Sequence, residues 1–305
     1  MRENNRVLGK LIVVLFASFI LLAGCGGGGD GGGTSVTTTP GTGTVSGTAI
    51  KGPVSGGTVT TFSINSDGTK GGQIGTAMTD AQGNFSMDVG SHSGPVMMEM
   101  TGGSYTDEAT GILMTMGSGD MMTAVVPSMT AGENVTNIQM TPLTSMAQQT
   151  AQDMSGGMTQ TNITQANSAM GQYFGVNDIL YTHPMDPLAN DSGGPATQEQ
   201  RNYGMTIAAM SQYAQMVGMP NSSGIVTAMM NDASDGQMNG MMGGTTITMG
   251  GGMMGGTMMQ SNAGTAGLAD AMQTFIESGQ NLSGLIVQDM QSLIDKLRSS
   301  NGTIQ

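Results

Sequence analysis

Residues 134–154, NVTNIQMTPLTSMAQQTAQDM, contain the point at which the hydrophobic period of the chain changes. Up to Met140 the run reads as a β-strand. After Thr141-Pro142-Leu143 the period lengthens from two to about 3.6, and Leu143, Met146, Ala147, Thr150 and Met154 fall on one helical face. Pro142 suits a first helical turn, where its missing N–H goes unused. The expectation is a modular α+β chain, with an antiparallel β-sandwich over 44–140 followed by a small α-helical bundle over 141–305.

Upstream of this point, short β-branched and apolar runs are broken by Gly, Asn and Asp about every ten residues, as in an antiparallel sandwich. Strands are predicted near 44–50, 57–64, 74–79, 84–89, 95–101, 111–116, 121–127 and 134–140. Val96, Met98 and Met100 are expected on one face, with Met97 and Glu99 on the other; Ile112, Met114 and Met116 alternate with Leu113 and Thr115. Asp80-Ala81-Gln82-Gly83 reads as a hairpin turn, with Gly83 free to take positive φ.

Three motifs occur here in order: Val45-Ser46-Gly47-Thr48, Gly52-Pro53-Val54-Ser55-Gly56-Gly57-Thr58-Val59, and Thr79-Asp80-Ala81-Gln82-Gly83-Asn84-Phe85-Ser86. Over about residues 44–100 they resemble the carboxypeptidase-regulatory-like, transthyretin-type sandwich of bacterial surface proteins, with Gly57 where that family often has Ala. The resemblance implies a binding or spacer module and carries no active-site residues.

Downstream, helices are predicted from Thr164 to Phe174, from Thr197 to Val217, near 222–231, near 265–278 and near 282–299. Thr197 and Gln200 form a capping box for the second of these, and Leu282, Leu285, Ile286, Met290, Leu293 and Leu297 form the stripe of the last. A Gly/Met-rich loop spans 236–260. Together with Tyr105-Thr106-Asp107-Glu108-Ala109-Thr110 and Thr141-Pro142-Leu143-Thr144, the arrangement is similar to surface lipoproteins and adhesin-like proteins that pair such a sandwich with a helical module.

The N-terminus supplies an address. Arg2, Arg6 and Lys10 precede an apolar run from Leu11 to Leu22, and small residues lead to the single cysteine of the chain, Cys25. That run is too short to span a bilayer and matches a secretory signal over residues 1–24. Leu22-Ala23-Gly24-Cys25 resembles the bacterial lipobox, which implies acylation of Cys25 and a membrane partner through the N-terminal lipid. Gly26, in place of a retaining Asp, favours the outer membrane, on either its periplasmic or its surface face. Residues 25–43 are a Gly/Thr-rich tether that lacks the apolar side chains needed to pack.

Composition narrows the partners. With 8 Lys+Arg against 21 Asp+Glu and a net charge of −13, the chain has no clustered basic surface, so nucleic acid is not expected as a partner. One cysteine allows no intrachain disulfide. Methionine is the outlier, at 33 residues. Ten lie between Met229 and Met259, and this tract resembles the Met-rich segments of periplasmic copper-resistance proteins. Soft thioethers select Cu(I) or Ag(I), which makes Met241, Met242, Met253, Met254, Met258 and Met259 the candidate ligands. The competing reading is that Met serves as a flexible core filler throughout the chain.

Other constellations are weaker. Asp232-Ala233-Ser234-Asp235-Gly236 begins like a calcium loop but lacks the closing Glu, since position twelve is Gly243. Asp186, Asn190 and Asp191 are a further cation possibility. His92 and His183 read as exposed polar residues. Asp107 and Glu108, as strand neighbours, are expected on opposite faces. No catalytic residue and no resident cofactor is expected. The sequence thus points to a non-catalytic structural, adhesion or ligand-binding protein of the cell envelope with an unknown envelope or extracellular ligand; the alternative is Cu(I)/Ag(I) binding through 229–259.

Overall fold

The computed structural model describes residues 41–250 and 256–304. Its architecture is mixed α+β, with several antiparallel sheets and six α-helices. The strands β1 (Gly43–Ala49), β2 (Thr58–Ile64), β3 (Lys70–Met78), β4 (Asn84–Gly90), β5 (Gly94–Thr101), β6 (Ser104–Thr106), β7 (Leu113–Thr115), β8 (Met121–Met129) and β9 (Asn134–Met140) come first. One sheet has the order β4-β1-β9 and another β3-β2-β5-β8; β6 and β7 form a separate hairpin. The ladders are antiparallel except for β1 with β9, which run parallel. Alternation of side chains cannot reveal strand direction, because it is the same in both cases.

Burial follows what covers each strand. In β4, Phe85, Met87 and Val89 are buried, while Asn84, Ser86, Asp88 and Gly90 are exposed, as expected for a strand with one wet face. β5 buries Val96, Met98 and Met100 as predicted, yet Met97 is buried too. Likewise, β8 is buried from Met122 to Val126 on both faces. The second face is covered by the helices α1 (Pro142–Asp153) and α2 (Gln160–Phe174), which pack on β8. Thr123 of β8 makes that contact polar as well as apolar: its N–H donates to Ser145 Oγ (2.8 Å), its hydroxyl donates to Gln148 Oε1 (3.1 Å), and its carbonyl accepts from Thr144 Oγ1 (2.8 Å).

Caps set the helix ends. Thr141 accepts from Thr144 N at 3.3 Å and donates its own N–H to Thr144 Oγ1 at 2.8 Å, which closes a capping box on α1. α3 (Gln198–Met216) opens with the predicted Thr197/Gln200 box and is buried without a break from Asn202 to Ala214. A helix enclosed on all sides is a core element. After α4 (Ser223–Ala233), two short ribbons follow, β10 (Met241–Met242) with β11 (Thr245–Thr246) and β12 (Thr248–Met249) with β13 (Thr257–Met258). A π-helical turn, Ala263–Gly267, leads into α5 (Leu268–Ile276), and α6 (Val287–Ser299) closes the chain.

Strand and helix side chains share one hydrophobic cluster, within the compact unit Pro40–Gln305. Two expectations are corrected. The run 111–116 yields only the three-residue β7, and Ile112 and Leu113 are 60% and 71% exposed. The last helix begins at Val287, leaving Leu282 and Ile286 exposed, because Asn281 and Ser283 engage in a local side-chain turn that competes with helix. Among the described residues, no helix is long and apolar enough to cross a membrane.

Candidate ligand cleft and its buried ionic floor

The connection from β1 to β2 bends sharply after Ile50, and Gly52 takes φ 58° there. A Cβ on Gly52 would stand 2.3 Å from the Thr106 carbonyl oxygen, so only glycine lets this bend lie against β6. The bend is pinned by Ser55 N–H to Ser104 O (2.8 Å) and the reciprocal bond at 2.9 Å. Lys51 is thereby driven inward, fully buried beneath the helices.

Around its ammonium gather groups from three other parts of the chain. Lys51 Nζ donates to Glu108 Oε2 (3.0 Å), to Ser222 Oγ (3.2 Å) and to Ser211 Oγ of α3. Asp107 Oδ2 lies 3.9 Å away, and the Tyr105 ring centroid 5.0 Å away. Ser211 donates on to Glu108 Oε2 at 2.5 Å, and Ser222 donates to Asp107 Oδ2. Tyr105 donates to Asn221 Oδ1 at 2.8 Å, and Asp107 Oδ1 accepts from Thr110 N–H and Oγ1. Burial alone pushes the Lys51 pKa down, but the Glu108 carboxylate, with Tyr105 and Asp107, outweighs it and holds it above its ordinary value.

Asp107 and Glu108 were expected on opposite faces of a strand. They instead follow β6 in a turn, where Asp107 N–H donates to Ile112 O and Gly111 N–H to Asp107 O, and both carboxylates reach Lys51. Alternation applies only to extended backbone. The sequence signal was therefore present, as a lone Lys within a strand-turn segment and an acidic pair in a turn, but their meeting depends on the tertiary fold.

Glu108 also forms the floor of a cleft of about 490 Å³. The strand side of this cleft presents Thr48, Asn84 and Thr106, and the helical side presents His183, Met185 and Ile207. The lining is thus hydroxyl, amide and apolar, with the carboxylates of Glu108 and Asp186 and no Lys or Arg. His183 stands at the exposed rim, its Nδ1 3.1 Å from Gln139 Oε1, as the sequence suggested for an exposed polar residue. His92 is half-buried, with Nε2 3.2 Å from Pro95 O.

A second buried carboxylate site lies at the base of the Gly/Met segment. Asp232 Oδ1 accepts from Asn239 N–H (2.9 Å) and Gly240 N–H (2.6 Å), while Asp235 Oδ1 accepts from Gln237 N–H (3.0 Å). These are loop-pinning bonds rather than a cation loop. Asp232 Oδ2 and Tyr213 Oη are buried without a hydrogen-bond partner. Burial pushes the Asp232 carboxyl up to about 6, against the lowering effect of its backbone donors. In the loop before α3, Asp186 Oδ1 accepts from Leu188 N–H (2.9 Å), again a turn contact.

The methionines of the Gly/Met tract divide. Met229, Met230, Met238, Met249 and Met259 are buried, whereas Met241, Met242 and Met258 are 36%, 47% and 57% exposed. Register sets Met258 beside Thr248, whose hydroxyl is 3.7 Å from the sulfur. Met253 and Met254 lie outside the described residues, as do Cys25 and the signal and tether segments up to residue 40. Among the described residues no group of three or more His, Cys, Asp or Glu is placed to hold a metal ion. No protein-family model and no curated protein matches the chain.

Proposed function

We propose that this chain is a lipid-anchored, non-enzymatic protein of the cell envelope whose body binds a small, uncharged, partly apolar ligand in the cleft above Glu108. In this reading the two larger sheets are the layers of a sandwich and the helices form a bundle docked on it. The observation that carries the binding role is the lining of the cleft. Thr, Asn and Gln side chains beside Ile207 and Met185 offer neutral hydrogen bonds and apolar contact, the usual make-up of a small-molecule site, while the two lining carboxylates are engaged by other groups, Glu108 by Lys51 and Ser211 and Asp186 by Leu188 N–H. An anion finds no cation there, since Lys51 is fully engaged beneath the floor.

The anchor rests on Leu22-Ala23-Gly24-Cys25, and the same reading places the protein at the outer membrane. Two or more acyl chains suffice for stable attachment. Adhesion or a structural role fits the same display. Two measurements test the proposal. Metabolic labelling with a fatty acid should mark the wild-type chain and not Cys25→Ser; equal labelling of both would remove the anchor. A screen of neutral metabolites by thermal shift should give a hit that Ile207→Trp abolishes, and hits insensitive to that change would remove the cleft.

The alternative reading is Cu(I) or Ag(I) binding, and the exposure of Met241, Met242 and Met258 keeps it in play. Titration with Cu(I) against a competing chelator separates the two. Binding no tighter than that of free methionine peptides ends the metal reading.

A further inference from the structure

We propose that Lys51 and Glu108 condense into an intramolecular side-chain amide, a covalent tie between the β1–β2 bend and the turn after β6. Four observations support it. The amine nitrogen lies 3.0 Å from Glu108 Oε2, with both side chains essentially removed from solvent, so the nitrogen is held next to the carboxyl group it would attack. The cluster is unbalanced, holding one ammonium against two carboxylates in a dry interior, which is a costly way to bury charge. The hydroxyls are arranged as proton relays. Ser211 accepts from Lys51 Nζ and donates to Glu108 Oε2, while Ser222 accepts from the same nitrogen and donates to Asp107 Oδ2. Finally, Glu108 lines the cleft, which gives a released water its way out.

The step balances without any co-reactant. The ammonium of Lys51 gives one proton through Ser211 to Glu108 Oε2, which leaves a neutral amine. That amine attacks Glu108 Cδ, so a C–N bond forms, and the nitrogen of the adduct then gives its second proton through Ser222 to Asp107. Asp107 passes this proton to Oε2, the C–Oε2 bond breaks, and Oε2 leaves as water. Lys51 and Glu108 lose their charges together, and Asp107 ends as the single carboxylate, held by Ser222 and Thr110. Asp107 rather than Glu108 acts as the relay because it lies farther from the nitrogen, at 3.9 Å, and is fixed by more hydrogen bonds. The link closes a long loop, as a disulfide does, in a chain whose single cysteine cannot form one.

Peptide mass spectrometry on the folded full-length chain tests this. The expected result is a branched peptide joining the Lys51 and Glu108 segments, lighter by one water than its two parts. Trypsin should fail to cut after Lys51 even in the denatured chain. Ser211→Ala should fold, as shown by an unchanged circular dichroism spectrum, and yet give largely unlinked peptides. A wild-type digest containing free Lys51 and free Glu108 peptides, taken from protein shown to be folded, overturns the proposal without recourse to any variant. A link that forms equally fast in Ser211→Ala overturns the relay.

Discussion

Two buried carboxylate sites in the same molecule are built in opposite ways. At the junction of strands and helices, Asp107 and Glu108 meet a lysine, and hydroxyls from α3 and from the start of α4 complete the shell. Under the Gly/Met segment, Asp232 has backbone N–H donors on one oxygen and nothing on the other; among the described residues it takes part in no ion pair. The first site spans segments far apart in sequence, so its charges have to be matched by partners that only the folded chain delivers. The second draws on residues within eight positions of Asp232 and leaves part of the desolvation cost unmet. Charge burial is therefore compensated where the fold must be held together and left partly uncompensated where only a loop is pinned.

The hardest blow to the contrast is Lys51→Met. It strands two carboxylates without a cation, and unfolding in denaturant should show a loss of about 3–5 kcal/mol. A loss below about 1 kcal/mol would mean that the cluster does not hold the junction.

The Asp232 site should reveal itself through pH. Its folded pKa, about 6, is raised from 3.8, so the unfolded chain releases its proton first as pH rises. Between these values the native state binds more protons than the unfolded one, and stability falls with rising pH, by up to about 3 kcal/mol in total. Asp232→Asn keeps an acceptor for Asn239 and Gly240 and should flatten that fall. Parallel pH profiles for wild type and variant would show that Asp232 is not the group responsible.

Smaller effects separate the sites further. Ser222→Ala leaves Asp107 Oδ2 and Lys51 short of a partner and should cost about 1–3 kcal/mol. Tyr213→Phe removes a hydroxyl that has no partner and should change thermal stability by less than about 0.5 kcal/mol, or raise it slightly. A large loss there would reveal a hidden partner for Tyr213.

Much of the fold was legible in the sequence. The strand runs over 84–89 and 134–140, the Thr197/Gln200 box and the change of period at Thr141-Pro142 all correspond to observed elements. These rest on local geometry, in which side-chain period and cap chemistry act within a few residues. The errors came where local geometry was overridden. Alternation put Met97 on the face opposite Val96, Met98 and Met100, yet it too is buried, and Leu282 and Ile286 looked like a helical stripe but precede α6. Likewise, of the eight described methionines of the tract, five are core and three are surface, because Met229 and Met230 belong to α4 while Met241, Met242 and Met258 sit on exposed ribbon positions.

By itself the sequence determined most of the larger strands and helices, the turns that demand glycine, and the acidic composition, because each depends on residues close together or on simple composition. Only the tertiary structure decided that β1 and β9 run parallel, that helices seal the second face of β8, and that Lys51 meets Glu108, Ser211 and Ser222. Those outcomes join segments up to 171 residues apart, and no local pattern encodes which distant groups will share one dry interior.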